Sequence, residues 1–308
     1  MNNFNDNEYK ILISNLLNDI NYIKISNMGK MAGLRKHAEV MVRKILNIGS
    51  SESLTLGNVR NNSRNTAVKE GMNILGEELS QYLINCIEII NPFGCDGTHT
   101  KRTDEFSNEE IEKVEEAILD LYALIFIRYF LEYQKDKYFS NGILERFSLL
   151  PPIIRYKTWI YLFDKHKNKL QILDKLVLSI IKAYSKKDAY DWIEANKDAI
   201  NSVPYPNEKQ IIEYITTVGK EISPGEYIFS INFGGYTNMY DLLYDKIKDE
   251  RTGINEGGKM YHDFESAIKY YNSYREAYIN TFSEEEKIFQ SLIDFVYLGR
   301  KPIEEVEK

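Results

Sequence analysis

Cysteine is nearly absent from this chain: Cys86 and Cys95 are its two thiols in 308 residues. A single pair gives no disulfide framework and too few ligands for a cysteine-rich zinc site, so a reducing cytoplasm is the simplest setting. Histidine is scarce as well. Of the four, His37, His166 and His262 stand apart without metal-ligand spacing, so neither a metal site nor a cofactor is expected. Long apolar runs are missing, since the nearest approach, residues 119–131, is interrupted by Asp120 and Arg128. No membrane span is expected. The opening Met1-Asn-Asn-Phe-Asn-Asp-Asn also lacks the positive flank and apolar core of a secretion signal. Positive charge is outnumbered, with a net charge of -7 and a pI near 5.4. That balance argues against binding nucleic acid through the overall field, although a local basic groove is compatible with it.

What is present fits a folded protein: 43% hydrophobic and 28% charged residues, enough to bury a substantial core. Two domains are expected, residues 1–147 and 148–308, because Phe147-Ser-Leu-Leu-Pro-Pro152 interrupts helical patterning. The expected fold is mainly α: an N-terminal up-down helical bundle, then a helical second domain with at most one short strand or hairpin.

In the first half, apolar residues recur at three- and four-residue steps over 8–23, then again from Met31 through Leu46. Residues 50–65, rich in Ser, Asn and Gly, read as an exposed connection. A third helix is expected over 66–90, ending at Asn91-Pro92. The stretch Asn91-Pro-Phe-Gly-Cys-Asp-Gly-Thr-His99-Thr-Lys-Arg102 then reads as a polar loop, and Ser107-Asn-Glu-Glu110 as the capping box of a long helix to about residue 134. In the second half, helices are expected near 153–163, 170–184, 188–199, 207–220, 236–248 and 264–278. Ser283-Glu-Glu-Glu286 caps a last one. Tyr227-Ile-Phe-Ser-Ile-Asn-Phe233, after Ser223-Pro-Gly225, is the one stretch with strand composition.

Leu34-Arg35-Lys-His-Ala-Glu39 on an early helix, followed by residues 91–99 ahead of a long helix, resembles the HEPN superfamily over roughly residues 8–134. It looks especially like the HEPN-like domains of bacterial defence and mobile-element neighbourhoods. Active members carry an arginine a little over one turn before a histidine and pair two subunits into a metal-independent RNA-cleaving site. Here His99 fits the histidine, but Pro92, Phe93 and Gly94 stand where the arginine belongs. The resemblance therefore implies a domain without catalysis, acting in recognition or assembly in phage defence or counter-defence, with a protein partner or a second copy. The alternative is an RNA endonuclease in which His99 moves the proton and Arg35 or Arg102 stabilises phosphate charge.

Asn91, Asp96 and Glu39 are the accompanying binding residues, Glu39 orienting Arg35. Arg35 and Glu39, four apart on one helix, also fit an ion pair with no chemistry. The 23 tyrosines, dense after Tyr205, favour a protein-binding surface. Asp188-Ala-Tyr-Asp191-Trp192 and residues 236–244 combine acids with aromatics, at a spacing that suits core packing.

Overall fold

The computed structural model describes residues 4–98, 102–133, 139–165, 170–228, 231–249, 262–278 and 283–306. The chain is mainly α-helical with one two-stranded sheet among the described residues. It forms two compact units: residues 1–128 with 294–301 and 306–308, and residues 129–293 with 302–305.

The first unit is assembled around α2 (Asn27–Leu46), which packs against α1 (Asp6–Asn21), α3 (Thr66–Leu75) and α4 (Glu77–Thr98). Met31, Leu34, Ala38, Met41, Val42 and Ile45 give α2 a buried face, as their spacing requires. Ser26 caps its start by accepting from the Gly29 amide at 3.1 Å. The connection over 50–65 is less exposed than its composition suggests: it contains a short 3-10 turn, Leu56–Asn58, and buries Leu54, Leu56 and Val59.

Two further expectations are corrected. The helix foreseen over 66–90 is broken at Gly76, whose φ of 88° suits glycine and ends α3 before α4 begins. Further on, Asn91-Pro92 does not stop α4, which continues to Thr98 through what reads in sequence as the start of a loop. A proline inside a helix costs roughly 3 kcal/mol through its missing donor and ring clash. Pro92 and Glu88, four residues before it, are both exposed, so the carbonyl left without a donor can turn to water. Phe93 packs edge-on against buried Phe106, ring centroids 6.4 Å apart, and helps hold the extra turns. Helix α5 (Asn108–Tyr133) follows, opened by the expected box: the Ser107 amide donates to Glu110 at 2.8 Å, and the Glu110 amide to Ser107 Oγ at 3.2 Å.

Residues 294–301 complete this unit. Phe295 lies edge-on to Phe4 at 6.0 Å, with Lys44 Nζ 5.0 Å from the Phe295 ring centre. The Lys301 amide donates to the Tyr22 hydroxyl at 3.1 Å. Gly299 makes the approach work: its φ is 74°, and a β-carbon there would fall 2.6 Å from Ser14 Cα.

The second unit contains α6 (Asn141–Ser148), α7 (Pro152–Lys165), α8 (Leu170–Ala183), α9 (Lys186–Ala195), α10 (Lys197–Asn201) and α11 (Glu208–Val218). Strands β1 (Lys220–Ser223) and β2 (Glu226–Ile228) come next, then α12 (Met239–Lys248), α13 (Phe264–Tyr278) and α14 (Glu284–Tyr297), whose residues from 294 on belong to the first unit, with the short α15 (Ile303–Val306) after it. The strand pair is antiparallel and begins earlier than composition indicates, since Pro224-Gly225 forms the turn between strands rather than the boundary before one. Helix α8 is the buried core, packing on α7, α9 and α12. At one end Phe130, Phe139, Phe147, Trp159 and Phe289 form an aromatic cluster, with Phe130 stacked on Trp159 at 5.0 Å. In mid-helix, fully buried Asp174 takes an ion pair from Lys246 on α12, another from Lys175 at 3.1 Å, and a hydrogen bond from Tyr214 on α11 at 2.8 Å.

Removing that carboxylate would take the ion-pair partner from the buried Lys246 ammonium. Asp174→Asn is expected to cost about 3–5 kcal/mol of stability in urea unfolding. A loss below about 1 kcal/mol, the scale of an exposed pair, would contradict this account. In the first unit Gly299→Ala should cost about 1–3 kcal/mol for backbone strain alone, before the clash with Ser14 is relieved.

Candidate functional site

The two arginines of the expected pocket hold different carboxylates on different helices. Arg35 and Glu39 pair along α2 at 3.7 Å, each about one-fifth exposed. Burial raises the Glu39 carboxyl above its ordinary range, while Arg35, then Arg43 and Lys36, pull it back. Arg102 makes a two-pronged contact with Glu110, Nη1 to Oε1 at 2.9 Å and Nη2 to Oε2 at 2.8 Å. It also donates to the carbonyls of Asp104 at 3.2 Å and Glu105 at 3.1 Å, and its guanidinium lies 3.9 Å from the Phe106 ring centre. Arg102 therefore ties the entry segment to the first turn of α5.

The surrounding contacts hold the Arg102 segment in place. Asn27 donates to the Phe106 carbonyl at 2.7 Å, and the Met28 amide donates to Glu105 at 3.2 Å. The Arg102 segment is thereby fixed to the first turn of α2, whereas Arg35 stands seven residues beyond Met28, about 10 Å along the axis. Asn91 and Asp96 sit on α4 rather than in a loop, with Asn91 half-buried. His99 lies outside the described residues.

A different histidine is firmly built in. His37 of α2 is buried, with Nε2 2.8 Å from the Tyr122 hydroxyl of α5. Burial, assisted by the nearby Arg300 charge, holds its imidazole down to about 3, so it stays neutral at ordinary pH. It is a polar tie between two helices. Among the described residues, no group of three or more His, Cys, Asp or Glu is placed to hold a metal ion, and no helix is long and apolar enough to cross a membrane.

The two acid-and-aromatic stretches do converge, on the surface of the second unit. Helices α9 and α12 pack together, bringing Tyr190 to 4.9 Å from Tyr244 by ring centres; Tyr240, one turn before Tyr244 on α12, lies 6.2 Å from it. Tyr244 is 44% exposed. Lys197 of α10 sits 4.2 Å from the Tyr240 ring centre. The Tyr240 hydroxyl donates to Glu194, which with burial pushes its phenol up to about 12; Tyr236 donates to Asp245 at 2.9 Å. Those bonds fix two phenol rings before anything binds. The core packing expected from their helical spacing holds for part of each stretch: Trp192 lies edge-on to buried Phe163 at 5.4 Å and Met239, Leu242 and Leu243 are buried, whereas Tyr244 faces outward.

His37 gives the first unit a defined acid sensitivity. Between a folded value near 3 and an ordinary value of 6.5, the unfolded chain takes up a proton that the folded chain refuses, so stability falls as pH falls. This one group should remove about 2 kcal/mol between pH 7 and pH 5, read from urea midpoints. His37→Gln should show the shallower dependence, and identical slopes would assign the sensitivity elsewhere. No protein-family model, curated protein or solved structure matches the chain.

Proposed function

We propose that this chain is a non-catalytic recognition protein of HEPN-like ancestry that engages a protein partner through the tyrosine face of its second unit. The family resemblance supplies the ancestry and the phage-defence or counter-defence context, and the scarcity of cysteine supplies the cytoplasmic setting. It also makes a second copy of the chain a candidate partner. The observation that carries the reading is the grouping of Tyr190, Tyr240 and Tyr244 on one face of α9 and α12, with Tyr244 exposed and the other two half-buried.

Tyrosine combines a broad apolar ring with a polar tip and loses little side-chain freedom on binding, particularly when hydrogen bonds already fix it. The arginines argue in the same direction. A phosphate-stabilising guanidinium has to be presented to substrate, whereas Arg35 and Arg102 are each engaged by a carboxylate of their own unit.

Two measurements test the two halves of the proposal. The purified chain, incubated with single-stranded RNA in chelator, should leave the RNA intact; cleavage abolished by His99→Ala would replace this reading with the endonuclease. A photo-crosslinking amino acid at Tyr244, in cells expressing the chain, should give a discrete adduct with a partner or with a second copy. The same probe at exposed Ile74 should not. Equal labelling at both positions, or none at Tyr244, would remove the tyrosine face from the account.

A further inference from the structure

A second feature of the 129–293 unit is built for a ligand of different chemistry. Arg155 of α7 and Lys175 and Lys182 of α8 line one cavity of about 180 Å³, with Asn141 and Glu145 of α6 also in its wall. One water needs only ~10–15 Å³ on the same measure, so there is room for a multi-atom group. Lys175, Ser179 and Lys182 lie four and three residues apart, on one face of a mostly apolar helix. Trp159 and Phe147 supply the apolar wall.

The charges in this cavity run against those of the chain. The whole sequence carries -7, yet three cations meet here with one lining carboxylate, Glu145, whose oxygen is also 3.6 Å from Lys220 Nζ. Arg155 is only 5% exposed, and Lys175 is held from behind by the Asp174 carboxylate at 3.1 Å. Asp174 serves Lys246 as well, so a single buried negative charge is divided between two ammonium groups. Burial holds Lys175 at about 8; burial, then repulsion from Arg155 and Lys175, holds Lys182 at about 8. Like charges kept together in a partly dry cavity gain most when a multivalent anion enters.

The geometry points to a binding site for a small phosphate-bearing anion, either inorganic phosphate or the phosphomonoester of a small metabolite, held by Arg155, Lys175 and Lys182. A dianion answers three cations better than a monocarboxylate does. Arg155 contributes a planar fork and the lysines compact charges, the two kinds of donor that phosphate oxygens accept. The buried arginine and the anchored Lys175 place these charges before any ligand arrives, which lowers the ordering cost of binding.

Isothermal titration of the full chain at low ionic strength, with inorganic phosphate in one arm and glycerol 3-phosphate in the other, tests the assignment. Saturable one-to-one binding is expected in at least one arm, and the arm with the tighter constant identifies the source of the phosphate. Lys182→Met, at a half-exposed position, should weaken that binding roughly tenfold or more while its thermal unfolding without ligand is unchanged or improved. Lys69→Met, an exposed lysine of the first unit, removes the same charge and should leave binding unaltered. No saturable heat into the millimolar range in either arm overturns the proposal, as does binding that Lys182→Met leaves intact. Should Lys182→Met prove unstable, protection of Lys175 and Lys182 from amine-reactive labelling by inorganic phosphate provides the same decision: equal labelling with and without phosphate overturns the assignment.

Discussion

The second unit depends on one carboxylate. Asp174 sits in the middle of the most apolar helix of the chain, and burying it is tolerable only because Lys246, Lys175 and Tyr214 all turn toward it. Those partners come from α12, from its own helix α8, and from α11, so one charge fixes how three helices meet. Hydrophobic packing alone would accept several registers between such helices. A buried polar contact penalises every arrangement in which it is unmade, and in that sense it selects one register from the set.

The same economy of charge separates the two kinds of basic residue in this protein. Arg35 and Arg102 are matched one-to-one with Glu39 and Glu110, and their work is architectural: one braces a helix face, the other anchors the segment that enters α5. Around α8 two lysines share Asp174, and two more cations border the adjacent cavity. Net charge hides this, because a sum over the chain cannot distinguish a carboxylate spent on a surface lysine from one withheld from a pocket.

Much of the helical architecture can be read from residue order. The α2 face, the two capping boxes and the α7, α8 and α12 segments follow from spacing that local chemistry enforces. The misreadings share a cause. Pro92 is a helix breaker by local rules, but an exposed ring and the Phe93–Phe106 contact make its cost tolerable. Residues 50–65 are polar on average, yet Leu54, Leu56 and Val59 find a core contributed by distant helices. Of the residues first singled out for chemistry, Arg35 and Glu39 were legible as a pair because they are four apart, while the Arg102–Glu110 fork spans eight residues and has no local signal. The cavity at α8 did leave a trace, Asp174-Lys175 and Lys182 within an apolar helix, but the arginine completing it is twenty residues upstream of Lys175.

Gly299 and the residues around it lie against α1, with Lys301 bonded to Tyr22 across 279 positions of sequence. At the usual pace of synthesis, about 5–20 residues per second, the N-terminal helices must wait on the order of tens of seconds for the segment that covers them. During that interval Phe4 and the Lys44 ammonium have no Phe295 ring to meet. The helices α1 and α2 are thus committed late, by a piece of chain made 279 positions after Tyr22.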